Sequence, residues 1–296
     1  MQQGISTHVF LAQRLTPGLL EALTRGGAQA IEIFAARHHF DYSDRAAVRE
    51  VANWFRSNEV TASLHMPLFN SDDDSNWSRH TAPALNLIDL NKSTRIEAMD
   101  EVKRALESAE QVPFRSCVIH LGLKDDHWDT RSLDDSMTAI EHLKAFASPL
   151  GMQLLLENLN NEVATPAHLV EIVRAGHFDN VGFCLDTGHA NLVEPLPETS
   201  DRPAKDGIAQ AFEAFGDRIA ELHLHDNFGV RPENGKDEHF WPGNGTVEWD
   251  RVLKYISALK RLPVGILEIT HELGEDAKQI EVESRAAWKL LEAAGQ

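Results

Sequence analysis

Residues 152–189 read MQLLLENLNNEVATPAHLVEIVRAGHFDNVGFCLDTGH. An apolar run ends in Glu157, a helix-like segment opens at Thr165-Pro166 and closes at Gly176, and a second apolar run ends in Asp186. Short runs that are apolar throughout are the pattern of parallel strands buried on both faces. Thr165 before Pro166 is a helix-start signal and Gly176 a stop. A helix between two such strands makes a βαβ unit, with a right-handed crossover. Each strand of the unit delivers a carboxylate to the same rim.

The pattern repeats along the chain. Four further apolar runs end in residues able to bind a metal: SLH at His65, CVIH at His120, ELH at His223 and GILE at Glu268. Strands are predicted at 5–11, 30–35, 60–66, 116–121, 152–158, 181–187, 219–226 and 264–270. Helices are predicted at 17–26, 44–58, 92–110, 133–148, 165–175, 206–216, 248–260 and 276–294, with Pro17, Asp44, Thr165 and Thr246 as starts and Gly26, Gly151 and Gly176 as stops. Strand–helix alternation over residues 1–296 predicts one α/β domain, a (β/α)8 barrel. An open doubly wound sheet would gather ligands at one switch point rather than from six strands. The longest connections (67–91, 190–205 and 227–245) all follow strand ends, on the face where barrels build their sites.

Composition narrows the functional classes. Of 296 residues, 28 are Lys or Arg and 46 are Asp or Glu, a formal net charge of −18. That balance argues against a nucleic-acid partner. No run of 18 apolar residues predicts a membrane span, and the N-terminal stretch lacks the basic and apolar regions of a secretory signal. Cys117 and Cys184 fall inside predicted strands and read as small buried hydrophobes, which fits a reducing cytoplasm. No stripe of exposed apolar residues selects an oligomer, although a homo-oligomer remains compatible with the chain.

Glu157, Asp186, His223 and Glu268 come from four successive predicted strands. Neighbouring strands lie roughly 5 Å apart, so inward side chains at one level form an arc. Three carboxylates and an imidazole in such an arc suit Mg²⁺, Mn²⁺, Co²⁺ or Zn²⁺. His189, three residues past Asp186, and Asp237 and His239 before Trp241-Pro242-Gly243-Asn244-Gly245 add donors near the same rim, as do His65 and His120. Those five are expected to touch metal or substrate. His225, on the strand face of His223, and Asn158, beside Glu157, are expected to contact substrate, and Asp226 to orient a ligand histidine. His8 is expected to line the core. The acidic residues Ser71–Asp74 (with Asp72, Asp73 and Asp74), Asp125, Asp126 and Asp129 read as a solvated rim. Arg37, Arg79, Lys124 and Arg231 are the cations that could meet a phosphate, Trp77, Trp128 and Trp241 fall in mouth loops, and His271 has no assignable role.

Together LLLEN, CLDTGHAN, LHLHDN, the DEHFWPGNG loop and ILEI resemble the xylose-isomerase-like TIM-barrel superfamily, over essentially the whole chain. The superfamily includes sugar isomerases, ketose epimerases, inositol-pathway dehydratases and endonuclease IV-type AP endonucleases. By position, the resemblance to the isomerases and epimerases implies a single metal on Glu157, Asp186, His223 and Glu268. It further implies that Glu157 and Glu268 act as the acid/base pair on a small sugar, with His189 contacting it. The resemblance to endonuclease IV implies a second assignment, three zinc ions on His65, His120, Glu157, Asp186, His189, His223, Asp237, His239 and Glu268, cleaving a phosphodiester.

Overall fold

A computed structural model describes residues 1–70, 82–197, 199, 204–230, 236–270 and 276–295 of the chain. Its strands are β1 Gln2–Ser6, β2 Ala30–Phe34, β3 Thr61–His65, β4 Phe114–Ile119, β5 Gln153–Glu157, β6 Gly182–Asp186, β7 Ile219–Leu224 and β8 Val264–Leu267. They pair in parallel, in sequence order, and β8 returns to β1 to close a barrel. The helices are α1 Pro17–Arg25, α2 Arg45–Ser57, α3 Lys92–Glu107, α4 Thr130–Ala147, α5 Pro166–Ala175, α6 Thr187–Asn191, α7 Gly207–Phe215, α8 Trp249–Ala258 and α9 Ala277–Ala294. The fold is the (β/α)8 barrel that the serial pattern predicts.

The reason is visible in burial. Every residue of β2 and of β6 is buried, as expected of strands with side chains on one face and helices on the other. The helices supply the outer layer with one apolar stripe each; α2 buries Val48, Val51, Ala52, Trp54 and Phe55 and leaves its opposite face to water. Their starts are chemical: the side chains of Asp44 and Thr165 accept backbone N–H groups at the heads of α2 and α5. Both cysteines are buried and unpaired.

Three of the boundaries that differ from expectation have a visible chemical cause. The first strand is Gln2–Ser6, not 5–11. Thr7–Phe10 looks strand-like by composition, but Ser6 accepts His8 N–H and turns those residues into a 3₁₀ turn. Asp129 is not idle acid on the rim: it accepts Ser132 N–H at 2.7 Å, and this capping box starts α4 at Thr130. Thr246 does not start α8, whose first residue is Trp249; its hydroxyl instead donates to Asn227 O at 3.2 Å. A short helix that the periodicity does not announce, α6, opens directly on Asp186.

Candidate metal centre

Strand register sets the site. Asp186 of β6 is the register partner of His223 on β7, so the two share one level of the barrel. Glu157 ends β5, Glu268 follows the last residue of β8, and His65 ends β3 with His120 just beyond β4. Glu157, Asp186 and His223 have no exposed surface and Glu268 has 4%.

His223 Nδ1 stands 3.4 Å from Glu157 Oε1, 3.3 Å from Glu268 Oε2 and 3.8 Å from Asp186 Oδ2. Glu157 Oε1, His223 Nδ1 and Glu268 Oε2 are all buried without a hydrogen-bond partner. Buried polar atoms are seldom left so, because an unsatisfied charged group costs several kcal/mol. Ligand atoms about 2.1 Å from one ion lie about 3–3.5 Å apart; His223 Nδ1 has that spacing to Glu157 and Glu268, and Asp186 lies slightly farther out. The donor set and its orphaned atoms therefore fit a divalent cation.

Two further groups adjoin the first. His120 Nε2 lies 2.8 Å from Glu157 Oε2 and 3.1 Å from His65 Nε2, so Glu157 belongs to both groups. On the other side Asp237 Oδ2 lies 3.0 Å from His189 Nε2 and 3.1 Å from His239 Nε2. The ligand atoms of each group lie within 4.8 Å of one another. His239 carries a left-handed backbone with φ of 50°, a conformation that an ordinary residue keeps only where its surroundings impose it.

The electrostatics are those of an acidic pocket with imidazoles for counter-charge. Burial alone would raise the Glu157 carboxyl, but His120 and His223 outweigh it and hold Glu157 well below the ordinary range. Glu268 is depressed likewise, burial being overcome by His223. Burial would lower His65 and His239; Glu157 beside the first and Asp237 beside the second push each up to about 9. Among the described residues, the ion pairs of Glu157, Asp186, Asp237 and Glu268 are all with histidines.

Several expected roles change. Asn158 is engaged by the backbone of Asp186, donating one amide N–H to its carbonyl at 3.0 Å and accepting its N–H at 2.9 Å, which ties the end of β5 to the end of β6. His225 is fully buried, with Nε2 2.9 Å from both Asp186 oxygens and Nδ1 3.5 Å from Asp237; it contacts candidate ligands and itself groups with His189, Asp237 and His239. Among the described residues, Asp226 bonds no histidine. It accepts from Gly243 N, Val247 N and Trp249 Nε1 at 2.9–3.0 Å and thereby pins the loop that carries Asp237 and His239. Arg37 is bound through its guanidinium to Glu101, and Trp128 stacks on His168 with ring centres 4.0 Å apart, so both are structural. Ser71–Asp74, Trp77, Arg79, Arg231 and His271 lie outside the described residues.

Three participants escaped the sequence reading. His8 leaves the core and reaches the mouth, its Nδ1 3.5 Å from Glu268 Oε1 and its ring stacked on Phe34. Glu32 of β2 and Glu221 of β7 lie buried beneath His223. Their signal was a lone carboxylate in the interior of an apolar strand, AIEIF and IAELHL, where alternation cannot place it in water.

Sequence relatives do not name an activity. The uncharacterised protein MJ1311 of Methanocaldococcus jannaschii is 26% identical over 266 residues, covering 88% of this chain and 80% of its own. The uncharacterised protein y4fM of Sinorhizobium fredii is 28% identical over 55% of this chain and 50% of its own. Among solved structures, a D-tagatose 3-epimerase-like protein superposes over 100% of this chain and 98% of its own, with a TM-score of 0.74 and 22% identity. The IOLI protein with a bound zinc atom superposes over 98% of each chain, with a TM-score of 0.74 and 17% identity. Identities this low speak for the fold. Residues 20–289 match the xylose isomerase-like TIM barrel family over most of the chain's length, and the chain belongs to that family.

Proposed function

We propose that the chain is a divalent-metal-dependent isomerase or epimerase of a small sugar or sugar derivative, moving a proton at a carbon next to a carbonyl. One observation carries the reading: Glu157 Oε1 and Glu268 Oε2, each buried without a hydrogen-bond partner, lie 3.4 and 3.3 Å from His223 Nδ1. Glu157, Asp186, His223 and Glu268 would hold the ion, which when bound supplies Lewis acidity toward a carbonyl oxygen.

The remaining chemistry belongs to the chain. Each glutamate keeps a second oxygen: Glu157 Oε2 meets His120 Nε2 at 2.8 Å and Glu268 Oε1 faces His8 Nδ1 at 3.5 Å. The side chains of His120 and His8 are 19% and 12% exposed, so each glutamate is backed by an imidazole that reaches the mouth. One glutamate can take the proton from carbon while the other returns one, and the imidazoles can carry protons to and from solvent. The fold shared with a D-tagatose 3-epimerase-like protein, end to end on both chains, supports the same reading.

A different observation favours a second reading. Two of the three groups share Glu157, and together the three take in all nine positions that the resemblance to endonuclease IV implies, which supports a three-zinc phosphodiesterase. The net charge of −18 weighs against a polyanionic substrate, whose phosphates are normally met by Lys and Arg. The test is deuterium exchange: chain loaded with manganese, cobalt or zinc is incubated with ketoses, aldoses and their phosphates in D₂O and read by proton NMR. Loss of a C–H signal beside a carbonyl is expected. Absence of exchange with every sugar, together with cleavage of abasic DNA or another phosphodiester, would replace the first reading with the second.

A further inference from the structure

We propose that Glu32 is the positioning residue of the candidate metal centre: its buried carboxylate accepts the Nε2–H of His223 and so commits the Nδ1 lone pair of that ring to the ion. The inference rests on the metal-centre part of the proposed function and is independent of any sugar chemistry.

Glu32 sits at the middle of β2 and His223 near the end of β7, on different walls of the closed barrel, and neither has exposed surface. Glu32 Oε2 lies 3.1 Å from His223 Nε2, within hydrogen-bond reach. A neutral imidazole has one N–H and one lone pair, and the partner of one nitrogen decides the chemistry of the other. With Nε2–H donated to Glu32, the lone pair is on Nδ1, the atom that faces Glu157, Glu268 and Asp186. The opposite tautomer would turn an N–H toward three carboxylates and leave a bare Nε2 against Glu32.

The neighbouring carboxylate cannot substitute. Glu221 Oε1 is 4.0 Å from His223 Nε2, beyond hydrogen-bond range, and its two oxygens accept from Ser63 Oγ at 3.1 Å and Ser116 Oγ at 3.2 Å. Glu221 is thus satisfied by the barrel wall. Glu32 is not: its Oε1 is buried without a hydrogen-bond partner, and its Oε2 meets His223 Nε2. A residue that served only to tie strands together would use both oxygens. Carrying a charge into this interior is costly unless it is paired, and the pairing found is with the imidazole of a candidate ligand.

Two measurements test this on the full-length, zinc-loaded chain. Nitrogen-15 NMR of histidine-labelled wild type, with His223 assigned by its absence in His223→Asn, should show His223 protonated at Nε2 and zinc-bound through Nδ1. Competitive zinc titration against a chromophoric chelator should show Glu32→Gln binding about 10- to 100-fold more weakly, the usual loss when the carboxylate behind a ligand histidine is removed. Circular dichroism melting establishes that the variant is folded. If Glu32→Gln does not fold, the wild-type spectrum decides alone. Zinc on Nε2, an N–H on Nδ1, wild-type affinity in folded Glu32→Gln, or a wild type that binds no zinc would each overturn the proposal. Failure to find a sugar substrate would leave it standing and count only against the isomerase reading.

Discussion

Gly188 offers the sharpest test of how the centre is held. It lies in α6 between Asp186 and His189, and a Cβ built there would fall 1.9 Å from His225 Cε1 and 2.3 Å from His225 Nδ1. Ordinary carbon contacts lie at about 3.5–4 Å, so in Gly188→Ala the ring must move by about 1.5 Å or more. It is fully buried and its Nε2 is 2.9 Å from each Asp186 oxygen, so that movement breaks the bond. Hydrogen bonds to a charged group contribute about 1.5–3 kcal/mol. Alanine in place of glycine returns at most about 1 kcal/mol of helix propensity. The expected net loss is about 0.5–2 kcal/mol of stability, and about 10- to 100-fold in zinc affinity, because Asp186 loses the group that orients it. Thermal melting and competitive zinc titration read the two effects. The decisive measurement is a double-mutant cycle with His225→Ala: once the ring is gone, Gly188→Ala should cost little or nothing more. Additive losses in the double variant would refute the clash as the cause, and wild-type affinity in Gly188→Ala would refute the role of His225 altogether.

Two other outcomes follow from distinct parts of the molecule. Glu101, 2% exposed, accepts from Arg37, Tyr42 and Arg104, and although burial works to raise it, the Arg37 guanidinium holds its carboxyl below the ordinary range. A depressed carboxyl stabilises above its unfolded pKa and loses that contribution as pH falls through the folded one. Glu101→Gln should therefore be about 2–3 kcal/mol less stable at neutral pH, the buried-pair figure reduced for the partial exposure of the arginines. In denaturant titrations the gap to wild type should close in acid, and a gap constant from pH 7 to pH 3 would contradict the assignment. At the mouth, His239→Ala and His65→Ala each remove a donor from an outer group and leave Glu157, Asp186, His223 and Glu268 intact. Elemental analysis should find at least one ion per chain in both variants, and a metal-free chain from either would mean that the groups assemble only together.

The barrel was legible because its strands announce themselves by one rule, an apolar run closed by a polar residue, and the rule depends only on burial of both faces. It failed where another local interaction outbid composition. Thr7–Phe10 has the residues of a strand, but the Ser6 hydroxyl captures His8 N–H and the chain turns. That turn carries His8 to Glu268, so one displaced boundary also concealed a residue of the mouth. The strand-end residues Glu157, Asp186, His223 and Glu268 could be grouped because adjacent strands place their ends side by side. Asn158 and His225 could not be given their roles in advance, since those roles depend on which neighbour each polar atom reaches: the Asp186 backbone for one, the Asp186 carboxylate for the other.

Glu32 and Glu221 explain why the inner layer was harder still. Spacing identifies residues at the same height on adjacent strands, whereas these two lie one layer down, in the part of a barrel normally filled by branched apolar side chains. Counting them, Glu32, Glu157, Asp186, Glu221 and Glu268 place five carboxylates in or beside the barrel's interior, each at most 4% exposed. The barrel interior answers this charge with hydroxyls and imidazoles and, in the proposed reading, at the rim with a cation. Ser63 and Ser116 answer Glu221; His223 answers Glu32 from one nitrogen and faces Glu157 and Glu268 with the other. The carboxylates that push His65 and His239 up to about 9 favour the protonated rings, and those protons are what a cation would displace on binding. The same buried acid that is costly to hold without a counter-charge is what would make the mouth selective for a small, doubly charged ion.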